Sequence, residues 1–151
     1  MSRLSPYRIS AVLLVVFCAM HTAGGMFSEP SFGQEADGVF ASMKAVHFDF
    51  NGADSTWWGF WFGFGLMTSV FLAFSALVAW KLDAVAREAW PVVSAIAWAL
   101  VVAQAANAVL SWAYFFAGPG IFATAITLLL AYGTVRKGRA AEATPRLSAA
   151  G

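Results

Sequence analysis

The sequence predicts an all-α protein, a four-helix transmembrane bundle, and three observations carry the prediction. Of its 151 residues 60% are hydrophobic and only 11% are charged, too little charge to cover the surface of a soluble domain of this size. Four apolar stretches are long enough to cross hydrocarbon about 30 Å thick, which needs roughly 20 residues at 1.5 Å rise each. The basic residues also fall almost entirely on one side once those stretches are taken to alternate in direction. The predicted helices cover roughly 9–27, 57–80, 91–116 and 119–135. Residues 1–139 then form one transmembrane domain, and 140–151 read as a disordered, alanine-rich cytoplasmic tail.

The first helix follows a short start that carries Arg3 and Arg8. Its basic, apolar, then small-residue order resembles a signal peptide. A cut after Ala23 would set His21 three places before it, where small residues are preferred. A retained first span is therefore the reading adopted. The outer end of this span, His21-Thr22-Ala23-Gly24-Gly25, is polar and glycine-rich for a helix end.

Residues 28–56 form the one long connection, with Glu29, Glu35, Asp37, Asp49 and Asp54 against a lone Lys44. Connections this long tend to carry structure or function of their own. Val39, Phe40, Met43 and Val46 follow helical spacing, which predicts a short amphipathic helix on the membrane surface. Phe48, Asp49 and Phe50 alternate as an extended piece that ends in the Asn51-Gly52 turn signal. Asp54 or Ser55 is then expected to cap the second helix.

The second helix is the predicted centre of packing. Trp57, Trp58 and Trp61 crowd one end, and Trp80 with Lys81 closes the other, as headgroup anchors do. Gly59 and Gly63 sit four apart, as do Gly65, Ser69 and Ala73, so small residues share faces where another helix can approach. A short charged link follows, and Pro91 suits the first turn of the third helix. Gly118-Pro119-Gly120 reads as the tight turn into the fourth helix, and Arg136, Lys137 and Arg139 come directly after that helix.

Charge sets the orientation. With the amino end, the 81–90 link and the tail on one side, that side holds Arg3, Arg8, Lys81, Arg87, Arg136, Lys137, Arg139 and Arg146. The other side holds Lys44 alone. Eight cations against one place both termini in the cytoplasm and the acidic loop outside.

Taken together, His21-Thr22-Ala23-Gly24-Gly25 and the run from Thr56 to Leu66, TWWGFWFGFGL, resemble a family of small uncharacterised bacterial four-helix integral membrane proteins. The likeness extends through Ser69-Val70-Phe71-Leu72 and over most of the chain. It implies a multi-pass protein of the bacterial inner membrane, and it implies no mechanism. Members often carry an acidic residue where this chain has Gly59, so no role for such a carboxylate transfers here.

The few polar residues within the spans are the candidate site. Gln104, Asn107 and Ser111 lie at i, i+3 and i+7 on one helix face, with Gln104 about 20 Å up from Pro91. His21 lies at similar depth. His47 and Asp49 share a face of the extended piece above. These residues either line a ligand pocket open to the outer leaflet or bond helices together, at about 0.6 kcal/mol per contact. No ligand spacing for a metal repeats, and Cys18, the one cysteine, rules out a disulfide or a CxxC motif. No nucleotide, protease or nucleic-acid pattern is present, no cofactor is implied, and no carboxylate or lysine lies mid-span as ion-coupled transport requires. The function expected is a structural or accessory membrane subunit, in contact with the lipid bilayer and associating through its glycine faces with a second copy or another membrane protein. The alternative is a binder of, or an enzyme acting on, a hydrophobic small molecule or lipid.

Overall fold

A computed structural model describes residues 5–85 and 89–148, the stretch 144–148 as backbone only. Arg3, Arg87 and the side chain of Arg146, used above for orientation, lie outside the described residues. Among the described residues the protein is all-α apart from one hairpin. Helix α1 (Pro6–Met20) runs on into a π-helical turn, His21–Met26. Helix α2 (Gln34–Ala45) and strands β1 (His47–Phe50) and β2 (Ala53–Thr56) fill the long connection. Helices α3 (Trp57–Ala84), α4 (Trp90–Tyr114) and α5 (Ala117–Ser148) complete the chain. Four helices are long and apolar enough to cross a membrane: Pro6–Met26, Trp57–Ala84, Trp90–Tyr114 and Ala117–Ala143.

The chain divides into two compact units, residues 18–71 and residues 1–17 with 72–151. In the second of these, α4 and α5 pair extensively as a hairpin. Their buried residues recur at helical spacing: Ala97, Leu100, Gln104 and Ser111 on α4, and Ala123, Ile126, Leu130 and Thr134 on α5. Leu72, Ala76, Ala79 and Leu82 supply the matching stripe of α3, and Tyr7, Ala11 and Leu14 that of α1. The opposite faces stay apolar, with Phe74, Leu77, Val102, Val109 and Leu128 each more than half exposed. Helices apolar on every side belong in hydrocarbon.

Three local expectations are corrected. The turn between α4 and α5 is Phe115-Phe116, while Gly118, Pro119 and Gly120 open α5 itself. Proline suits a first helical turn, and a Cβ at Gly120 would fall 2.6 Å from the Trp112 ring, so only glycine fits under that indole. Trp112 Nε1 donates to Thr124 Oγ1 at 3.0 Å and closes the hairpin end. Second, α5 does not stop near Val135 but continues helical to Ser148. Alanine and arginine are good helix formers, and nothing between Val135 and Ala143 breaks the helix except Gly138. Third, the cap of α3 is Thr56: its Oγ1 accepts the Gly59 N–H at 3.0 Å. Asp54 and Ser55 are held in β2 instead.

In the unit 18–71, the hairpin pairs His47 with Thr56, Asp49 with Asp54 and Phe50 with Ala53. Asn51 (φ 56°) and Gly52 (φ 85°) both adopt positive φ, as a two-residue turn of this hand demands. Aromatic rings join the loop to the start of α3. Phe40 on α2 meets Trp58 and Trp61 edge-on, and Phe48 and Phe50 meet Phe60. Lys44 sits 4.2 Å over the Trp58 ring and pairs with Glu29. Such ring contacts contribute about 0.5–1.5 kcal/mol each beyond area burial.

Candidate functional site

In the unit 18–71, polar residues collect where the π-helical turn of α1 meets α3. The backbone of the widened turn closes from the Phe27 N–H to the Thr22 carbonyl at 3.1 Å. His21 Nε2 lies 2.9 Å from the Gly65 carbonyl oxygen. A carbonyl only accepts, so Nε2 carries the hydrogen and Nδ1 is left as an acceptor in the neutral ring. Thr22 Oγ1 donates its one hydrogen to the Cys18 carbonyl at 2.7 Å, and accepts from Ser69 Oγ at 2.8 Å. Cys18 Sγ in turn donates to the Ser69 carbonyl at 3.3 Å. A Cβ on Gly65 would fall 1.9 Å from Met26 Sδ, so α3 is close-packed at that glycine.

The four packing residues proposed for the second helix therefore separate. Gly65 and Ser69 lie against α1. Gly59 meets only the capping Thr56 Oγ1, and a Cβ on Gly63 would meet nothing within 4 Å among the described residues. Gly59 and Gly63 are both exposed, with no other helix of the chain against them among the described residues. Their face is turned outward, because Gly65 and Ser69 set the face that packs.

His47, in the same unit, is exposed, and its Nδ1 lies 2.9 Å from both carboxylate oxygens of Asp54. Asp49, on the same face, accepts the Gly52 N–H at 3.2 Å and steadies the turn. Among the described residues no three metal-ligating side chains converge. Asp37 accepts from Ser31 Oγ and from the Phe32 N–H, and these bonds, the serine's foremost, hold its carboxyl below the usual aspartate range. A shallow, open groove of about 550 Å³ lies between α2 and Trp57, lined by Glu35, Val39, Ser42 and Met43 among others.

The other residues named from the sequence belong to the second unit. Gln104 is fully buried and its Nε2 donates to Ser75 Oγ at 3.0 Å, while its Oε1 has no partner among the described residues. Asn107, one turn on and half-buried, likewise leaves Nδ2 unpartnered, and Ser111 is 4% exposed. So His21 and His47 fall in one unit, and Gln104, Asn107 and Ser111 in the other.

Sequence reasoning missed the densest polar cluster among the described residues, at the end of α3 in that second unit. Lys137 Nζ donates to the carbonyls of Leu82, Asp83 and Val85 at 2.5, 2.8 and 3.1 Å. An ammonium has three hydrogens, one for each of these carbonyls at and just past the end of α3, where the helix supplies few donors; the Leu82 oxygen also accepts the Val85 N–H at 3.4 Å. The same nitrogen lies 5.7 Å from the centre of the Tyr7 ring and 5.5 Å from that of Trp90. Tyr7 is bonded to Thr134 at 2.7 Å. The Asp83 carboxylate accepts from Ser5 and, at 2.7 Å, from Arg8 Nε, whose guanidinium stacks over Trp80. Lys137 could have been separated from its neighbours in the sequence by one signal: it continues the 123, 126, 130, 134 stripe of α5, which Arg136 and Arg139 leave.

Comparison with protein family descriptions, with characterised proteins and with solved structures gives no match for this chain.

Proposed function

We propose that the chain is a multi-pass protein of a bacterial inner membrane, with both termini cytoplasmic and residues 28–56 outside, serving as a structural or accessory subunit. What carries the reading is how its intramembrane polar groups are used. His21, Cys18, Thr22, Ser69, Gln104 and Ser75 bond a carbonyl or a hydroxyl on another helix or on their own. Each such bond satisfies a group that hydrocarbon cannot. An enzyme or ion carrier keeps an ionisable or nucleophilic group facing a cavity, and these side chains face one another. The outward Gly59–Gly63 surface of α3 is the place for a second copy or a partner helix.

A second reading, a hydrophobic small-molecule or lipid binder, draws on the unpartnered Gln104 Oε1 and Asn107 Nδ2. Both readings share one topology, tested with Gly38→Cys in a Cys18→Ser background. Gly38 is exposed on α2 with open space around it. An impermeant thiol reagent should label intact cells; labelling only after lysis would reverse the orientation. Mass spectrometry of the purified protein then separates the readings. A stoichiometric protein partner or a second copy supports the subunit, and a small molecule lost on Asn107→Ala supports the binder.

A further inference from the structure

One helix face carries charge with nothing to answer it. On α5, Ile121, Leu128 and Tyr132 are 58%, 65% and 60% exposed, and Arg136 and Arg139 continue the same stripe as exposed residues. The spacings of seven, four, four and three residues keep all five on one side of the helix. Their neighbour Lys137 is spent on three carbonyls, and Arg8 is spent on Asp83. Arg136 and Arg139 have no ion pair or hydrogen bond among the described residues, and Glu142, one turn further on, forms no ion pair with either. Two like charges at i and i+3 repel, so this pair is costly unless an anion lies between them.

We propose that this face docks an anionic phospholipid, with its phosphate held between Arg136 and Arg139 and its acyl chain laid along Tyr132 and Leu128. The dimensions suit one leaflet. From Leu128 to Arg136 the helix rises about 12 Å, within the roughly 15 Å of half the hydrocarbon. Tyr132, one turn inside the arginines, puts an amphipathic ring at the level where the ester groups lie. Two guanidinium forks match phosphate oxygens better than ammonium groups do. The bulk apolar faces of the other helices contact any lipid, whereas this stripe selects by headgroup charge. The inference rests only on the membrane reading, which the labelling of Gly38→Cys tests separately.

Native mass spectrometry of the detergent-purified full chain, titrated with phosphatidylglycerol or with phosphatidylcholine of the same acyl chains, is the test. A cation near an anionic surface contributes about fivefold in affinity, so two predict a preference for phosphatidylglycerol of about 25-fold. Arg136→Gln with Arg139→Gln should abolish it. Glu142→Lys, which removes an anion and adds a third cation one turn on, should raise it at least about fivefold. Equal retention of the two lipids, or a preference unchanged in the double variant, overturns the proposal. So does displacement of phosphatidylglycerol by about 10 mM inorganic phosphate, which would mean a simple anion site with no role for the tail. Both arginines are exposed, so the double variant should fold; circular dichroism of the same sample confirms that its binding loss is local.

Discussion

The two halves of α3 are held in opposite ways, although they are one continuous helix. From Trp57 to Phe71 the helix is glycine-rich, and its hold on the turn after α1 consists of a methionine over Gly65 with bonds from His21, Thr22 and Cys18. From Leu72 to Ala84 it presents a regular buried stripe and is closed at its end by one lysine on three carbonyls. Where backbones come close, small residues and backbone carbonyls do the packing. Where ordinary side chains fill the gap, spacing does it, and the polar work moves to the helix end. In lipid neither half has a hydrophobic driving force between helices, so packing and hydrogen bonds must suffice in both.

The largest effect is expected at the end of the second half. Lys137→Met keeps length and apolar contact with Tyr7 and Trp90 but leaves the Asp83 and Val85 carbonyls without their donor and the Leu82 carbonyl with only the long Val85 N–H bond. Hydrogen bonds to a charged group contribute about 1.5–3 kcal/mol, so the variant should lose about that much in a detergent unfolding titration. Arg136→Met, one residue away and exposed, should lose under about 0.5 kcal/mol. If the two variants unfold together, Lys137 is no lock. Lys137→Arg should rescue poorly, because a planar fork cannot direct three hydrogens at three carbonyls around one point.

Next comes the close approach in the first half. Gly65→Leu puts a side chain where Met26 now lies, and Met26 is itself 8% exposed with little room to retreat. Overpacking of this kind costs about 1–3 kcal/mol, so the folded fraction recovered in detergent should fall. Gly63→Leu, two residues away, faces open space and should fold as the parent does. That contrast also separates packing within the chain from packing against another copy. A Gly63→Leu protein that is folded but monomeric, where the parent is dimeric, would assign the outward glycine face to association.

Much of the architecture was legible because it follows from length and period. Four apolar runs, the amphipathic spacing of Val39, Phe40 and Met43, and the Asn51-Gly52 turn each depend on residues a few places apart. Glycine spacing was readable only halfway. It marked both the Gly59–Gly63 and the Gly65–Ser69 pairs but could not choose between them, because the choice is made by Met26 and Thr22 on another helix. The turn after α4 was misplaced for a related reason: glycine and proline signal a turn and a first helical turn alike, and Trp112 decides which. The Lys137 cluster was hidden because a lysine beside two arginines reads as a flank of positive charge. Only its three-dimensional neighbours, two rings and a helix end, single it out.

The smallest effect sharpens the comparison by taking the same kind of bond out of the membrane. Asp37 accepts from Ser31 Oγ and the Phe32 N–H just as Gly65 accepts from His21, but its carboxylate is open to water. These bonds favour the ionised carboxylate, so its pKa in the folded chain lies below the unfolded value. The ordering they give the segment before α2 is complete above the unfolded pKa and is lost as pH falls through the lower folded one. The effect belongs to the acid side of an ordinary aspartate, with no change expected between about pH 5 and 8. Amide hydrogen exchange at Phe32, compared across that acid range after correction for the intrinsic rate, should show protection fading. Asp37→Asn should remove the pH dependence, and Ser31→Ala should move it to higher pH, since the serine is the stronger of the two donors. Protection at Phe32 that ignores pH in the parent would mean the loop is held by its aromatic contacts alone. The bonds to Asp37 would then add nothing where water competes, while those of Gly65 hold inside the span.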